Sequence, residues 1–356
     1  MKFVHIADMH FDVPFTYLSS QTSLGEVRRL EQRNIFRKAI DYVEKNQVDF
    51  LFISGDLYEH EYVKKSTIEF IADEFKRIPN TKIFIAPGNH DPYVKNSYYE
   101  TFDFGPNVYV FKKDVVEKVE VGNVNIYGMA FNSFYMEDSP LEKTEKLNHG
   151  RLNILVAHCD LNGSKDKEGL SYNPITESKL KSLKFDYCAI GHIHKRKMDK
   201  DSNICYPGSP IALGFDETGS HGMIVGEIGT ELRLEYVELD ERQFVEVEVS
   251  VEDVKSNDEL IEKLSSINLV EKNLYKVVLM GRRSFEIDVP GIMKVLDVIN
   301  ILKIKDNTRI AYDIQDLRMQ NNLKGFYVNE LYKMYQDGKC TEEQLQKAIE
   351  IGFEAM

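Results

Sequence analysis

The sequence predicts a mixed α/β (α+β) chain whose strands end on residues of metal-binding type. Apolar, β-branched or aromatic runs of strand length recur at 3–7, 50–54, 83–86, 154–157 and 187–190. Each is followed by acids, histidines or an asparagine: Asp8-Met9-His10, Gly55-Asp56, Gly88-Asn89-His90-Asp91, His158 and Gly191-His192-Ile193-His194. Segments with helical spacing separate the first strands, and the pattern changes near residue 240.

Taken in order, 26–46 carries Val27, Leu30, Phe36, Ala39, Ile40 and Val43 at helical spacing and reads as the helix between the first two strands. Ile68, Ile71 and Phe75 mark a second helix before the strand at 82–86. Hairpins are expected at 124–130 and 222–239. The polar, charged segment 132–151 between strands is a candidate active-site loop or an ordinary surface excursion. Beyond 240, a strand at 244–249, a helix at 257–266, a strand at 275–280 and a helix at 289–300 suggest a compact α/β module. The tail holds helices at 327–335 and 342–353. The latter opens on the capping-box pattern Thr341-Glu342-Glu343-Gln344 and carries the stripe Leu345, Ile349, Phe353.

The five polar patches offer carboxylates (Asp8, Asp56), imidazoles (His10, His158, His192, His194) and one amide oxygen (Asn89). Two divalent ions about 3.5–4 Å apart need a shared anionic ligand and several neutral ones, which this set supplies. Mixed N/O donors suit Mn, Fe or Zn better than pure oxygen-loving Mg or Ca. No cysteine pair has metal-ligand spacing. Every patch falls at the carboxyl end of a predicted strand, where open α/β sheets place ligands. A lone Asp-x-His is commonly a surface pair and Gly-Asn-His-Asp alone a plausible turn. Five patches in order, each after a strand, are not explained that way.

Asp-x-His, Gly-Asp, Gly-Asn-His-Asp, a lone His and Gly-His-x-His together resemble the calcineurin-like metallophosphoesterases. Asp8 through Phe15, Gly55-Asp56-Leu57-Tyr58, Tyr206-Pro207-Gly208-Ser209-Pro210 and the run from Phe185 to Lys195 resemble the SbcD-type DNA repair exonuclease branch, including a YhaO-like subgroup. The resemblance covers the first two-thirds of the chain well and the rest in outline. It implies a four-layer β-sandwich flanked by helices over 1–240, an α/β capping domain over 241–315 and a helical segment over 316–356.

It also implies a site. Asp56 would bridge two ions, one held by Asp8, His10 and His194, the other by Asn89, His158 and His192. His90 matches a non-ligand histidine facing the scissile phosphate, suited to protonating the leaving oxygen or stabilising its charge. Glu59, three residues after the bridge, would orient His90. His60 is expected to be an exposed neighbour, and Asp91 and Asp12 to brace their loops. The implied reaction is two-metal phosphodiester hydrolysis of DNA, exonucleolytic or endonucleolytic, by a metal-bridging hydroxide with His90 assisting departure. A phosphatase or cyclic-nucleotide phosphodiesterase on the same ions is the alternative, and a non-catalytic scaffold acting through the tail a third reading. Manganese is the expected ion, with Fe, Zn or Mg open.

The formal net charge of −13, from 45 basic and 58 acidic residues, argues against a broad nucleic-acid-coating surface. Two divalent ions would add about +4 where phosphate docks. Lys195-Arg196-Lys197, and Arg28, Arg29 and Arg33 on the first helix, are candidate phosphate contacts or solvated faces. Tyr58, Tyr93, Tyr98 and Tyr99 are candidates for stacking on unpaired bases, or core. The expected partners are DNA, single-stranded or at duplex ends, and an SbcC-like coiled-coil ATPase docking on the terminal helices, with a homodimer open. Packing of those helices on their own domain is the alternative. Cys159, Cys188, Cys205 and Cys340 are scattered, no apolar run is long enough to span a membrane, and the amino terminus enters a strand directly. A cytoplasmic protein is expected. The chain stops without a terminating Gly or Pro, which leaves a truncated carboxyl terminus open.

Overall fold

Alternation in the first three strands decides the architecture. In β1 (Lys2–Ile6), β2 (Phe50–Ile53) and β3 (Lys82–Ile85), Val4, Ile6, Leu51, Ile53, Ile83 and Ile85 join one core, and Phe3, Phe50, Phe52 and Phe84 join another. The structure, a computed structural model, describes residues 1–15, 22–145, 147, 150–163, 165, 167–198, 203–296 and 300–356. The chain divides into two compact units, Met1–Gln243 and Phe244–Met356.

In the first unit, the aliphatic face of these strands packs on α1 (Thr22–Asn46) and α2 (Lys65–Lys76) through Phe36, Ala39, Ile40, Val43, Ile68, Ile71 and Phe75. Its phenylalanine face packs on a second sheet. The remaining elements of this unit are α3 (Tyr98–Thr101), β4 (Val108–Val110), β5 (Glu117–Val121), β6 (Val124–Gly128), β7 (Leu152–His158), α4 (Glu177–Leu183), β8 (Tyr187–Gly191), β9 (Ile204–Cys205), β10 (Gly222–Ile228) and β11 (Leu232–Glu238). The first sheet runs β11-β10-β1-β2-β3-β4 and the second β5-β6-β7-β8-β9. Ile126, Ile154, Val156, Tyr187 and Ala189 meet the phenylalanines between the sheets. Leu155, Ala157, Cys188 and Ile190 face outward under Leu180 and Leu183 of α4. The order is therefore helix, sheet, sheet, helix, the expected sandwich. The hairpins β5–β6 and β10–β11 are antiparallel, whereas β1, β2 and β3 pair in parallel, as do β7 and β8.

The second unit carries a parallel sheet β12-β13-β15 from β12 (Phe244–Ser250), β13 (Leu274–Met280) and β15 (Ile301–Asp306). It packs against α5 (Asn257–Ser265) and α6 (Val289–Val295) through Leu260, Leu264 and Ile292. The short β14 (Arg282–Arg283) pairs with β16 (Arg309–Ile310). Then come α7 (Ile314–Met319), α8 (Leu323–Gln336) and α9 (Glu342–Ala355). The capping box forms, with Thr341 Oγ1 accepting from Gln344 N and the Gln344 side chain from Thr341 N. Leu345 and Ile349 of the expected stripe are buried against Val328 of α8, with half-buried Phe353 alongside, so the stripe packs within its own unit. Residues 297–299, at the end of the helix expected over 289–300, lie outside the described residues.

One helix departs from its pattern. Val27 and Leu30 are 38% and 62% exposed. Arg28 instead takes the inward face of that turn, fully buried, donating to Ala212 O and pairing with Asp240 at 3.1 Å and Glu31 at 2.6 Å. It is a structural cation, unavailable for the phosphate contact considered for it. Breaking a buried pair leaves an uncompensated charge. Arg28→Ala should lower unfolding stability by about 3–5 kcal/mol in a denaturant titration, whereas exposed Lys45→Ala should change it by less than about 0.5 kcal/mol.

Candidate metal centre

All five patches lie where the sequence places them, at the carboxyl ends of β1, β2, β3, β7 and β8. The loops leave the strands by an unusual route. Asp8 (φ 53°), His10 (φ 46°) and Asp56 (φ 52°) are left-handed, a conformation that costs non-glycine residues about 1–2 kcal/mol each. Hydrogen bonds hold it. Asp8 N donates to Gly55 O, His10 N to Asp56 O and Phe11 N to Leu57 O, so the first two loops run side by side. The Asp91 carboxylate accepts from Asp56 N, Leu57 N, Gly88 N and the Tyr99 hydroxyl. Asp56 Oδ1 in turn accepts from His90 N at 2.9 Å. Gly55, itself at φ +87°, cannot be replaced, since a Cβ there would sit 2.3 Å from His158 Nδ1. Asp12 braces its loop by accepting from Lys64 N and Thr67 Oγ1.

The side chains converge into three overlapping donor groups: Asp8, His10 and His194; His10, Asp56 and His90; and Asp8, Asp56 and His158. Asp56 Oδ2 stands between His10 Nε2 at 3.6 Å and His158 Nε2 at 3.3 Å. Asn89 Oδ1 lies 3.0 Å from His158 Nε2. His192 is brought to the same rim, its ring 5.2 Å from that of His158, but it joins none of the three groups. Its backbone N donates to Asp8 Oδ1.

The hydrogen-bond partners decide which nitrogen carries a proton. His10 Nδ1 meets Glu59 at 2.7 Å, His194 Nδ1 meets Glu217 at 2.6 Å and His158 Nδ1 meets the Ser54 carbonyl at 2.8 Å. Each partner can only accept, so Nδ1 donates and the lone pair sits on Nε2. Yet His10 Nε2 faces His194 Nε2 at 3.0 Å, and His158 Nε2 faces Asn89 Oδ1 and Asp56 Oδ2. Acceptor against acceptor is repulsive unless a cation or proton lies between. The donor set therefore fits divalent ions. Burial alone would lower His158 and His194, but Asp56 for the first and Glu217 for the second push both up to about 9. Burial would raise the Asp56 carboxyl, but His158 and His10 hold it well below the ordinary range. Burial wins at Asp8, whose carboxyl is raised.

Glu59 spans two imidazoles, with Oε1 on His10 and Oε2 3.0 Å from His90 Nδ1. It thus contacts the expected His90 and one histidine more. His90 is the open member of the cluster, its side chain 46% exposed against 3% for His10 and 0% for His158. His60 is half-buried rather than exposed, with the Phe134 ring edge-on at 5.8 Å. Tyr58 and Tyr99 belong to the core, and Tyr93 and Tyr98 pack against it, so none is a free stacking platform. Arg196 lies over Tyr236 at 4.0 Å and Lys197 pairs with Glu177 at 2.8 Å, while Lys195 is exposed. Cys159 is a buried thiol pushed up to about 12 by burial.

Sequence reading missed Glu217 and the role of the Tyr206–Pro210 motif. Ser209 N donates to His194 O, Ser209 Oγ and Leu213 N donate to Glu217 Oε2, and Glu217 fixes His194. The motif thus steadies the last histidine through its backbone and its ring. Tyr172, tilted on the His192 ring at 5.2 Å, was also missed. Only the acidic residue soon after the motif hinted at Glu217.

Carboxylates and imidazoles converging at the strand ends of a two-sheet sandwich define a metallohydrolase. Residues 1–196 match the family described as calcineurin-like phosphoesterase, and the chain belongs to that family of metallophosphoesterases. It is similar to the uncharacterised metallophosphoesterase YhaO of Bacillus subtilis (strain 168), 25% identical over 263 residues, covering 69% of this chain and 63% of that protein. It is also similar to the SbcD component of the nuclease SbcCD of Staphylococcus epidermidis, 26% identical over 249 residues, covering 61% of this chain and 63% of that protein. The chain thus spans 63% of the length of either relative. A solved dimetal phosphatase from Danio rerio aligns with a TM-score of 0.35 and 11% identity, covering 68% of this chain and 97% of that one. Among the described residues, no helix is long and apolar enough to cross a membrane.

Two measurements check the centre. Titrating Mn²⁺ into metal-free protein should raise its melting temperature, worth about 2.7 kcal/mol at a hundredfold excess over Kd, and Asp56→Asn should remove most of that rise. Glu217→Gln should weaken metal affinity by about 10–100-fold in the same titration with unchanged circular dichroism.

Proposed function

We propose that this chain hydrolyses phosphodiester bonds of DNA at a two-ion centre in which Asp56 bridges, Asp8, His10 and His194 hold one ion, and Asn89, His158 and His192 hold the other. The likeness to a nuclease component, over more of the chain than the family match, carries the choice of DNA. Manganese is the proposed native ion, in keeping with the mixed carboxylate, amide and imidazole donors. Bound divalent ions supply Lewis acidity toward a phosphoryl group and stabilise its developing charge.

The residues do the rest. Asp56 Oδ1 holds the His90 backbone N–H while Asp91 holds the Asp56 N–H, and Glu59 fixes the His90 ring through Nδ1. With Nδ1 so engaged and its side chain half open, His90 presents Nε2 to a docked substrate, where it donates a proton or a hydrogen bond to the leaving oxygen. Burial alone would lower His90, but Glu59 and Asp56 push it up to about 9. Glu59 also turns His10, so one carboxylate orients a ligand and the acid together.

The relative is named as one component of a larger nuclease, which supports an SbcC-like ATPase partner for this chain as well. Because Leu345 and Ile349 are used internally, the proposed contact moves to the exposed apolar residues Met319, Leu323, Phe326 and Ile351 of α7, α8 and α9. With Mn²⁺, a single-stranded oligonucleotide should be cut faster than a phosphomonoester or a cyclic nucleotide. His90→Ala should lower kcat by about 10²–10⁴-fold, and Asp56→Asn should abolish turnover. Preference for monoesters or cyclic nucleotides, or activity surviving both changes, would reject the reading.

A further inference from the structure

Three large aromatic rings, two of them neighbours in sequence, stay largely in solvent. Tyr62, Phe134 and Tyr135 are 52%, 48% and 47% exposed. A single exposed ring needs no explanation, but neighbouring ones beside a site do. The backbone on either side of Phe134 and Tyr135 is pinned. Phe131 N donates to Pro87 O and its ring packs edge-on to His158 at 5.7 Å; Tyr93 N donates to Phe131 O. Asn132 Nδ2 donates to Tyr93 O and Lys112 O. Further along, Met136 N donates to Ser171 O and Asn173 N to Met136 O, beside the Tyr172 that covers His192. Between these anchors Phe134 stands edge-on to His60, whose backbone N donates to His90 O at 2.9 Å.

We propose that Phe134, with Tyr135, forms a stacking site for an unpaired nucleobase on the leaving-group side of the metal centre. The inference rests on the nuclease reading and deepens it, because His90 marks the side from which the leaving oxygen departs. Stacking on a ring held by its neighbours tolerates any base and requires the strand to be open. Exposed Lys112 and Lys113 flank the loop, their carbonyls accepting from Asn132 and Ala130 and their N–H groups donating to Glu117, and place two ammonium groups within reach of a phosphate backbone. The substrate class is therefore single-stranded or frayed nucleic acid, with a base required next to the cut.

The test compares an oligothymidylate with an abasic strand of equal length, by fluorescence anisotropy with Ca²⁺ in place of Mn²⁺ so that binding is read whether or not the strand is cut. Phe134→Ala should weaken oligothymidylate binding by about 5–150-fold. It should leave the abasic strand and the salt dependence unchanged, and Phe134→Trp should restore affinity. Equal loss on both strands, or no loss on either, overturns the stacking site. Mn²⁺-dependent cutting of simple phosphodiesters, measured in parallel, separates the two ideas: its presence with base-independent binding sinks only this inference, and its absence sinks the hydrolase reading.

Discussion

The structure depends on two carboxylates that lock the central loops to one another. Asp91 takes the backbone donors of Asp56, Leu57 and Gly88, and Asp56 takes the backbone donor of His90. Each aspartate thus belongs to one loop and fastens the other. Left-handed backbone at Asp56 is held by the Asp91 carboxylate on its N–H, and that at Asp8 and His10 by their N–H bonds to Gly55 O and Asp56 O. Asp91 is itself pushed up to about 7 by burial, with the charge of Asp56 adding to it. Its accepted hydrogen bonds oppose that shift without cancelling it.

The expectation of bound cations follows from the acceptors as much as from the acids. Nitrogen lone pairs aimed at each other at 3.0 Å, and at an amide oxygen, repel unless a cation or proton lies between them. The ring nitrogens on the far side are tied to Glu59, Glu217 and the Ser54 carbonyl, which rules out turning the tautomers to relieve the conflict. The loops are preorganised for cations by partners that are not ligands. Two divalent ions in such a centre would add about +4 to a chain of net charge −13 just where a phosphate would dock.

Strands and ligands were legible because both rest on local signals. A run such as Phe50 to Ile53 reads as a strand wherever it lies, and an acid or histidine after it reads as a site. The supports were not legible because they are long-range. Glu217 reaches back 23 residues to His194, and Asp240 reaches back 212 to Arg28, with no spacing rule to announce either. Burial misled in the same way. Tyr58 and Arg28 look like surface chemistry until the opposite wall is known, and Val27 and Leu30 look like core until Arg28 takes their face. The two-residue β16 and six-residue α7 of the second unit carried too little periodicity to be seen.

Phosphoesterase chemistry at these ions does not by itself choose between a monoester and a strand of DNA, so selectivity must come from the rim. On one side of the centre the cations are largely committed: Arg196 to the Tyr236 ring and Lys197 to Glu177. Surface pairs of this kind steer weakly and fade with salt. Elsewhere on the rim the Phe134 ring, edge-on to His60, and the adjoining Tyr135 ring remain half in water. An acidic protein with little long-range steering gains more from short-range stacking than from added charge, because stacking is insensitive to the repulsion its surface imposes. On the proposed reading, recognition at this centre is local, with ions gripping one phosphate and aromatic rings reading whether the adjoining base is free.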